Sequence, residues 1–156
     1  MDKNNFIFIF LVLLVLISNF YFVNKFSKDN LTKENVLNGI INEKVIEGYS
    51  DNITLIISNY CNLYKEKELK IKCVNNFVKN SGRFEYNITK KVYTPDELLK
   101  KAGDCKSWTV FYRSIFSKLN IKNKLISTDN HIYLVAYTEN KYCNIDQINI
   151  QCYNLD

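Results

Sequence analysis

The sequence predicts an α+β domain whose helices pack on one face of an antiparallel sheet, preceded by an N-terminal transmembrane helix. Three observations lead there. Apolar residues recur at helical spacing up to Leu119 and alternate in the manner of strands beyond Asn120. Short turn signals divide the later segments into a meander. Residues 6–23 form an almost unbroken apolar run. With 156 residues, 47% of them hydrophobic and 14% aromatic, the chain can bury one sizeable core, because domains of about 100–150 residues are the common size.

The N-terminal run, FIFIFLVLLVLISNFYFV, holds 18 residues without a charge and with only Ser18 and Asn19 as polar interruptions. That is close to the roughly 20 residues needed to cross the hydrocarbon core as a helix. A cleaved signal peptide is the competing reading, since Lys3 precedes the run and its most apolar part has the length of a signal core. No Ala-x-Ala-like site follows, which favours an uncleaved anchor. The division expected is 1–23 as anchor or signal, 24–30 as polar linker and 31–156 as the folded domain. A single-pass membrane protein follows, or a secreted one if the segment is cleaved. Lys3 on one side faces Lys25 and Lys28 on the other, so charge does not fix the orientation.

From residue 31 onward each element has its own signal. Asn30 or Thr32 is placed to cap a helix carrying Val36, Leu37, Ile40, Ile41 and Val45 at helical spacing. Residues 53–57 fit either a buried helical turn or a strand. Residues 65–78 read as a helix that stops at Ser81-Gly82, where glycine can take the left-handed conformation. An extended piece, 83–87, leads to Thr94-Pro95-Asp96-Glu97, a capping box with proline at the first helical position. That helix ends at Gly103, and Asp104 is suited to cap the next, over 105–119, with Trp108, Val110, Phe111, Ile115 and Phe116 on a broad apolar face. Strands follow at 124–128, 131–138 and 141–145, with a fourth at 148–153.

A formal net charge of +5 arises from 21 basic and 16 acidic residues spread along the chain. There are no basic runs interleaved with aromatics, so nucleic acid is not an expected partner. Three Asn-x-Thr sequons, at Asn30, Asn52 and Asn87, carry little information in a chain with 22 Asn, since about two arise by chance at this composition. Five cysteines occupy positions 61, 73, 105, 143 and 152. Local bridges Cys61–Cys73 and Cys143–Cys152 would leave Cys105 free, in keeping with an oxidising, extracytoplasmic compartment. The alternative is five reduced, mostly buried thiols. With one histidine and no Cys-x-x-Cys pair, neither a metal site nor any other cofactor is expected.

The stretch GDCKSW sets Cys105 in the first turn of a helix. There the positive end of the dipole and unpaired N–H groups favour a thiolate and can stabilise an oxyanion. His131, the lone histidine, opens a strand, and Asp146 lies 146 − 131 = 15 residues on, on the returning strand. Equal arms about a turn near Glu139-Asn140 put the two roughly opposite one another, as a base and its orienting carboxylate need. For each residue a plainer account exists: Cys105 as a small buried hydrophobe, Asp104 as a cap, Trp108 as core, Tyr86 and Tyr93 as surface or core. The ordered triple is harder to obtain by accident than any one of its members.

TPDELLKKAGDCKSWTVFYRSIFSKLNI, followed by HIYLVAY and then NID one hairpin later, resembles the transglutaminase-like superfamily of papain-related enzymes over about residues 64–150. The resemblance implies a papain-like core in which Cys105 is the nucleophile, His131 the base and Asp146 its partner. It implies a thiol enzyme acting on a protein or peptide substrate, at a glutamine-type or peptide amide, through a thioester. Hydrolysis is expected over cross-linking, since nothing in so short a chain excludes water and admits an amine. The alternative is a catalytically silent binding or scaffolding domain at the membrane surface.

Overall fold

No Pro or Gly stands between residues 3 and 38, so nothing in the backbone interrupts a helix there. In the computed structural model α1 runs unbroken over Lys3–Gly48. The structure describes residues 3–82 and 85–155, with the side chains of residues 3–12 and 26–33 outside that description. The helix expected to start at Asn30 or Thr32 is thus continuous with the segment before it. Two compact units result: Met1–Asn38, which is helical throughout its described residues, and Gly39–Asp156, which carries everything else.

The expected transmembrane helix is not borne out. Among the described residues no helix is long and apolar enough to cross a membrane. The described side chains leave a run from Leu13 to Val23, 23 − 13 + 1 = 11 residues broken by Ser18 and Asn19. Beyond it Asn24, Lys25, Lys28 and Asp29 continue the chain with polar and charged residues. The rest of the predicted span, residues 6–12, lies outside the described side chains. The α+β architecture stands without the membrane segment, and nothing among the described residues supports the single-pass localisation built on it.

In the second unit α2 spans Asn52–Cys61, α3 Lys67–Ser81, α4 Pro95–Lys100 and α5 Cys105–Lys118. The ambiguity at residues 53–57 resolves to helix because a carboxylate from elsewhere caps it. Asp96 accepts from the N–H groups of Asn52 at 3.1 Å and Ile53 at 2.9 Å, while Asp51 accepts from the N–H of Asp96 at 2.7 Å. The N-termini of α2 and α4 thus cap each other, satisfying donors each helix leaves unpaired. Thr94 N–H also donates to Glu97 at 3.0 Å, the reach-back half of the capping box read from the sequence. Gly82 ends α3 at φ 59°, the left-handed conformation that glycine adopts without penalty.

Strands β1 (Asn123–Ser127), β2 (Ile132–Tyr137), β3 (Lys141–Asp146) and β4 (Asn149–Asn154) form an antiparallel meander in the order β1-β2-β3-β4. Helix α5 packs against β2 on one side and α2 on the other, which makes it the central element of the core. Its Trp108, Phe111, Tyr112 and Phe116 are buried and in mutual ring contact. Burying such side chains stabilises the fold by about 1.5–3 kcal/mol each. The Tyr112 hydroxyl donates to Asn75 at 3.1 Å, so the one polar atom of that ring is satisfied, and burial pushes its pKa far up.

Two disulfides, Cys61–Cys73 and Cys143–Cys152, join α2 to α3 and β3 to β4, and Cys105 is the free cysteine. Both bridges fit an extracellular or secreted protein.

Candidate active site

Cys105 owes its place to the two residues before it. A Cβ on Gly103 would lie 2.4 Å from Leu98 Cδ1 and 2.8 Å from Ser107 Cβ, so only glycine lets α4 and α5 close this tightly. The same residue pairs with an extended segment: Gly103 N–H donates to the Glu85 carbonyl at 3.2 Å and Asn87 N–H to the Gly103 carbonyl at 3.0 Å. This parallel bridge sets Tyr86 beside Gly103. Asp104 then caps α5, accepting from Lys106 N–H at 3.1 Å. Its carboxylate is 2% exposed and also takes the Lys106 ammonium, which reaches on to the Thr89 carbonyl at 3.3 Å. A buried charge is thereby paired within its own turn.

Cys105 is the first residue of α5 and half-buried. Its backbone N–H is one of the donors a helix start leaves over, and among the described residues no hydrogen bond uses it.

His131 and Asp146 come together from the sheet. The turn before β2 fixes the histidine backbone, whose carbonyl accepts from Thr128 N–H at 2.8 Å and Thr128 Oγ1 at 3.1 Å. Leu134 pairs with Ile145 across β2 and β3, and one step further along that register sets Tyr133 across from Asp146. His131 is therefore a diagonal neighbour of Asp146, two residues from the opposite position that equal arms predicted. Diagonal partners lie about 7–8 Å apart along the sheet, within reach of two long side chains. His131 Nε2 and Asp146 Oδ1 meet at 2.9 Å. Tyr133 stacks on the imidazole, ring centroids 6.4 Å apart at 22°, and holds its plane. With Nε2 on the carboxylate, Nδ1 is the nitrogen left for a reacting group.

Tyr86 is held beside Gly103 by its backbone pairing. Desolvation first, then the sulfur of Cys105 and the carboxylate of Asp104, hold its phenol above the usual pKa; Lys106 opposes them and Asp146 adds to them. Asp104 and Trp108 take the cap and core roles that the sequence favours for them, and Tyr93 packs against the core. Lys106 is the contributor that sequence reasoning missed, and its pairing with Asp104 has an i, i+2 signal that was there to find.

Among the described residues no group of three or more His, Cys, Asp or Glu is placed to hold a metal. A cavity of about 740 Å³ opens elsewhere, beside Ile53, Tyr60, Phe77 and Leu99, and none of Cys105, His131 and Asp146 lines it. Comparison with family models, curated proteins and solved structures returns no match.

Proposed function

We propose that this chain is a thiol enzyme of transglutaminase-like type, acting on a protein or peptide amide through a thioester on Cys105. The observation that carries it is the His131–Asp146 pair at 2.9 Å, in a chain whose one free cysteine starts the central helix. In this reading His131 Nδ1 takes the thiol proton, and Asp146 fixes the tautomer and steadies the imidazolium. Sulfur bonds to the carbonyl carbon, the carbonyl electron pair moves to oxygen, and collapse of that adduct expels the amine with the proton from His131. Water, deprotonated by the same imidazole, then cleaves the thioester.

Hydrolysis is favoured over cross-linking by exposure. The side chains of His131 and Asp146 are 36% and 48% exposed and Tyr86 is half-exposed, so water reaches the acyl-enzyme freely. The two disulfides suit the same enzyme working in an extracellular or secreted setting.

Iodoacetamide at mildly acidic pH tests the reading. Cys105 alkylates faster than free cysteine, and His131→Ala removes the excess. A wild-type rate no faster than free cysteine, or a Cys105 found in a disulfide, overturns it.

A further inference from the structure

Three Asn-x-Thr sequons start at Asn30, Asn52 and Asn87, and composition alone gives no reason to prefer one of them. Their structural settings differ. A sequon is used when a transfer enzyme can hold the asparagine carboxamide and the threonine hydroxyl together, which asks for an exposed, irregular stretch of surface backbone.

Asn52 is the first residue of α2, so its sequon is wound into a helix. Thr54, the hydroxyl residue of that sequon, is 0% exposed, and its Oγ1 is buried with no hydrogen-bond partner among the described residues. An enzyme reaches it only when α2 opens. Asn30 lies within α1, again a helix, with its side chain outside the described residues.

Asn87-Ile88-Thr89 is the opposite case. All three residues lie outside helix and strand, and Asn87 is exposed. Ile88 is 83% exposed, more than any other large apolar side chain among the described residues, so nothing covers this stretch. No hydrogen bond among the described residues occupies the Asn87 carboxamide. Thr89 Oγ1 accepts from Lys91 N–H at 3.1 Å and keeps its own proton to donate. The two disulfides supply the setting, because the oxidising compartments that form such bridges are also those of secreted proteins that carry glycans on surface loops.

We propose that Asn87 is an N-glycosylation site, taking an oligosaccharide from a lipid-linked phosphate or pyrophosphate donor. The site is independent of the thiol-enzyme reading. In the transfer the Asn87 carboxamide nitrogen bonds to the anomeric carbon of the first sugar, and the bond from that carbon to the donor phosphate breaks. The lipid phosphate leaves with the electron pair, and one amide proton passes to a base on the transferase. The glycan is then rooted on the segment whose Asn87 N–H bonds the Gly103 carbonyl, two residues before Cys105.

The test uses the whole chain, made with both disulfides in a host that adds no sugar, then given a purified oligosaccharyltransferase and its lipid-linked donor. Synthetic peptides carrying the Asn52 and Asn87 sequons, reacted in parallel, report that the enzyme is active and set the preference the sequences have by themselves. Mass spectrometry of protease fragments reads each position separately. The expected result is sugar at Asn87, with a preference over Asn52 that exceeds the peptide value by about tenfold or more, since Thr54 is presented only on local opening. Thr89→Ala abolishes transfer to Asn87. An unmodified Asn87 beside modified peptides overturns the proposal. A preference no greater in the protein than in the peptides also overturns it, because the fold then does not select the site.

Discussion

The hairpin of β2 and β3 carries polar side-chain pairs at both ends, and the two ends are used differently. At the turn end Lys141 meets Glu68 at 2.9 Å and Glu139 meets Lys67 at 2.8 Å, both reaching from the hairpin to α3. At the open end His131 meets Asp146 at the same 2.9 Å, but both partners belong to the hairpin itself. Contacts of the first kind tie two elements together. The second ties strands whose backbone pairing already holds them, through side chains that are 36% and 48% exposed, where an ion pair contributes about 0–1 kcal/mol. Equal distances therefore do not mean equal roles, and the open-end pair has no structural task in proportion to its geometry.

The sharpest way to break this contrast is Asp146→Asn. If the open end serves chemistry, acylation of Cys105 by p-nitrophenyl acetate falls roughly 10³-fold or more, as when a triad carboxylate is lost, while stability changes by less than about 1 kcal/mol. A fall in melting temperature with acylation intact would make the pair structural after all. Next in size is the staple between the two ends. Cys143→Ala with Cys152→Ala opens a loop with a sequence separation of 9, which loop-closure entropy values at about 2–3 kcal/mol. Denaturant unfolding reads that loss directly. Iodoacetamide labelling of Cys105 stays at the wild-type rate if the staple only stabilises the sheet.

The two ends were not equally legible beforehand. Strand positions followed from alternation, since β2 and β3 are runs of β-branched and aromatic residues bounded by short polar turns, and both disulfides followed from local spacing. Cys105, His131 and Asp146 stood out because each residue type is scarce or punctually placed. Equal arms misplace the register by one pleat because the arms about Glu139-Asn140 are unequal: His131–Thr138 is eight residues and Lys141–Asp146 is six, so with Thr138 paired to Lys141 the carboxylate falls two residues short of the position opposite His131. The mutual capping of α2 and α4 was invisible because Asp51 and Asp96 are distant in sequence and each reads as an ordinary N-terminal acid. The pairing of Tyr86 with Gly103 left no trace for the same reason: its bonds are backbone bonds. The unbroken helix over residues 24–30 was hidden by polar composition, which suggests a linker, although no residue there opposes helix formation.

Glu68→Gln tests the turn end, with the smallest expected effect. The Glu68 carboxylate is held below its ordinary pKa of 4.5, first by the hydrogen bond from Lys72 and then by that from Lys141. A depressed carboxylate stabilises the fold fully above its unfolded pKa and loses that contribution as pH falls through the lower folded value. The wild type therefore loses stability between about pH 5 and pH 3 more steeply than Glu68→Gln, by a few tenths of a kcal/mol for partly exposed pairs. Melting temperature across that range reads the difference in slope. If the turn end only ties the hairpin to α3, alkylation rates match in the two proteins at every pH. If Glu68→Gln instead slows alkylation, α3 and the turn of the hairpin act on the site through β2 and β3, and the two ends form one device.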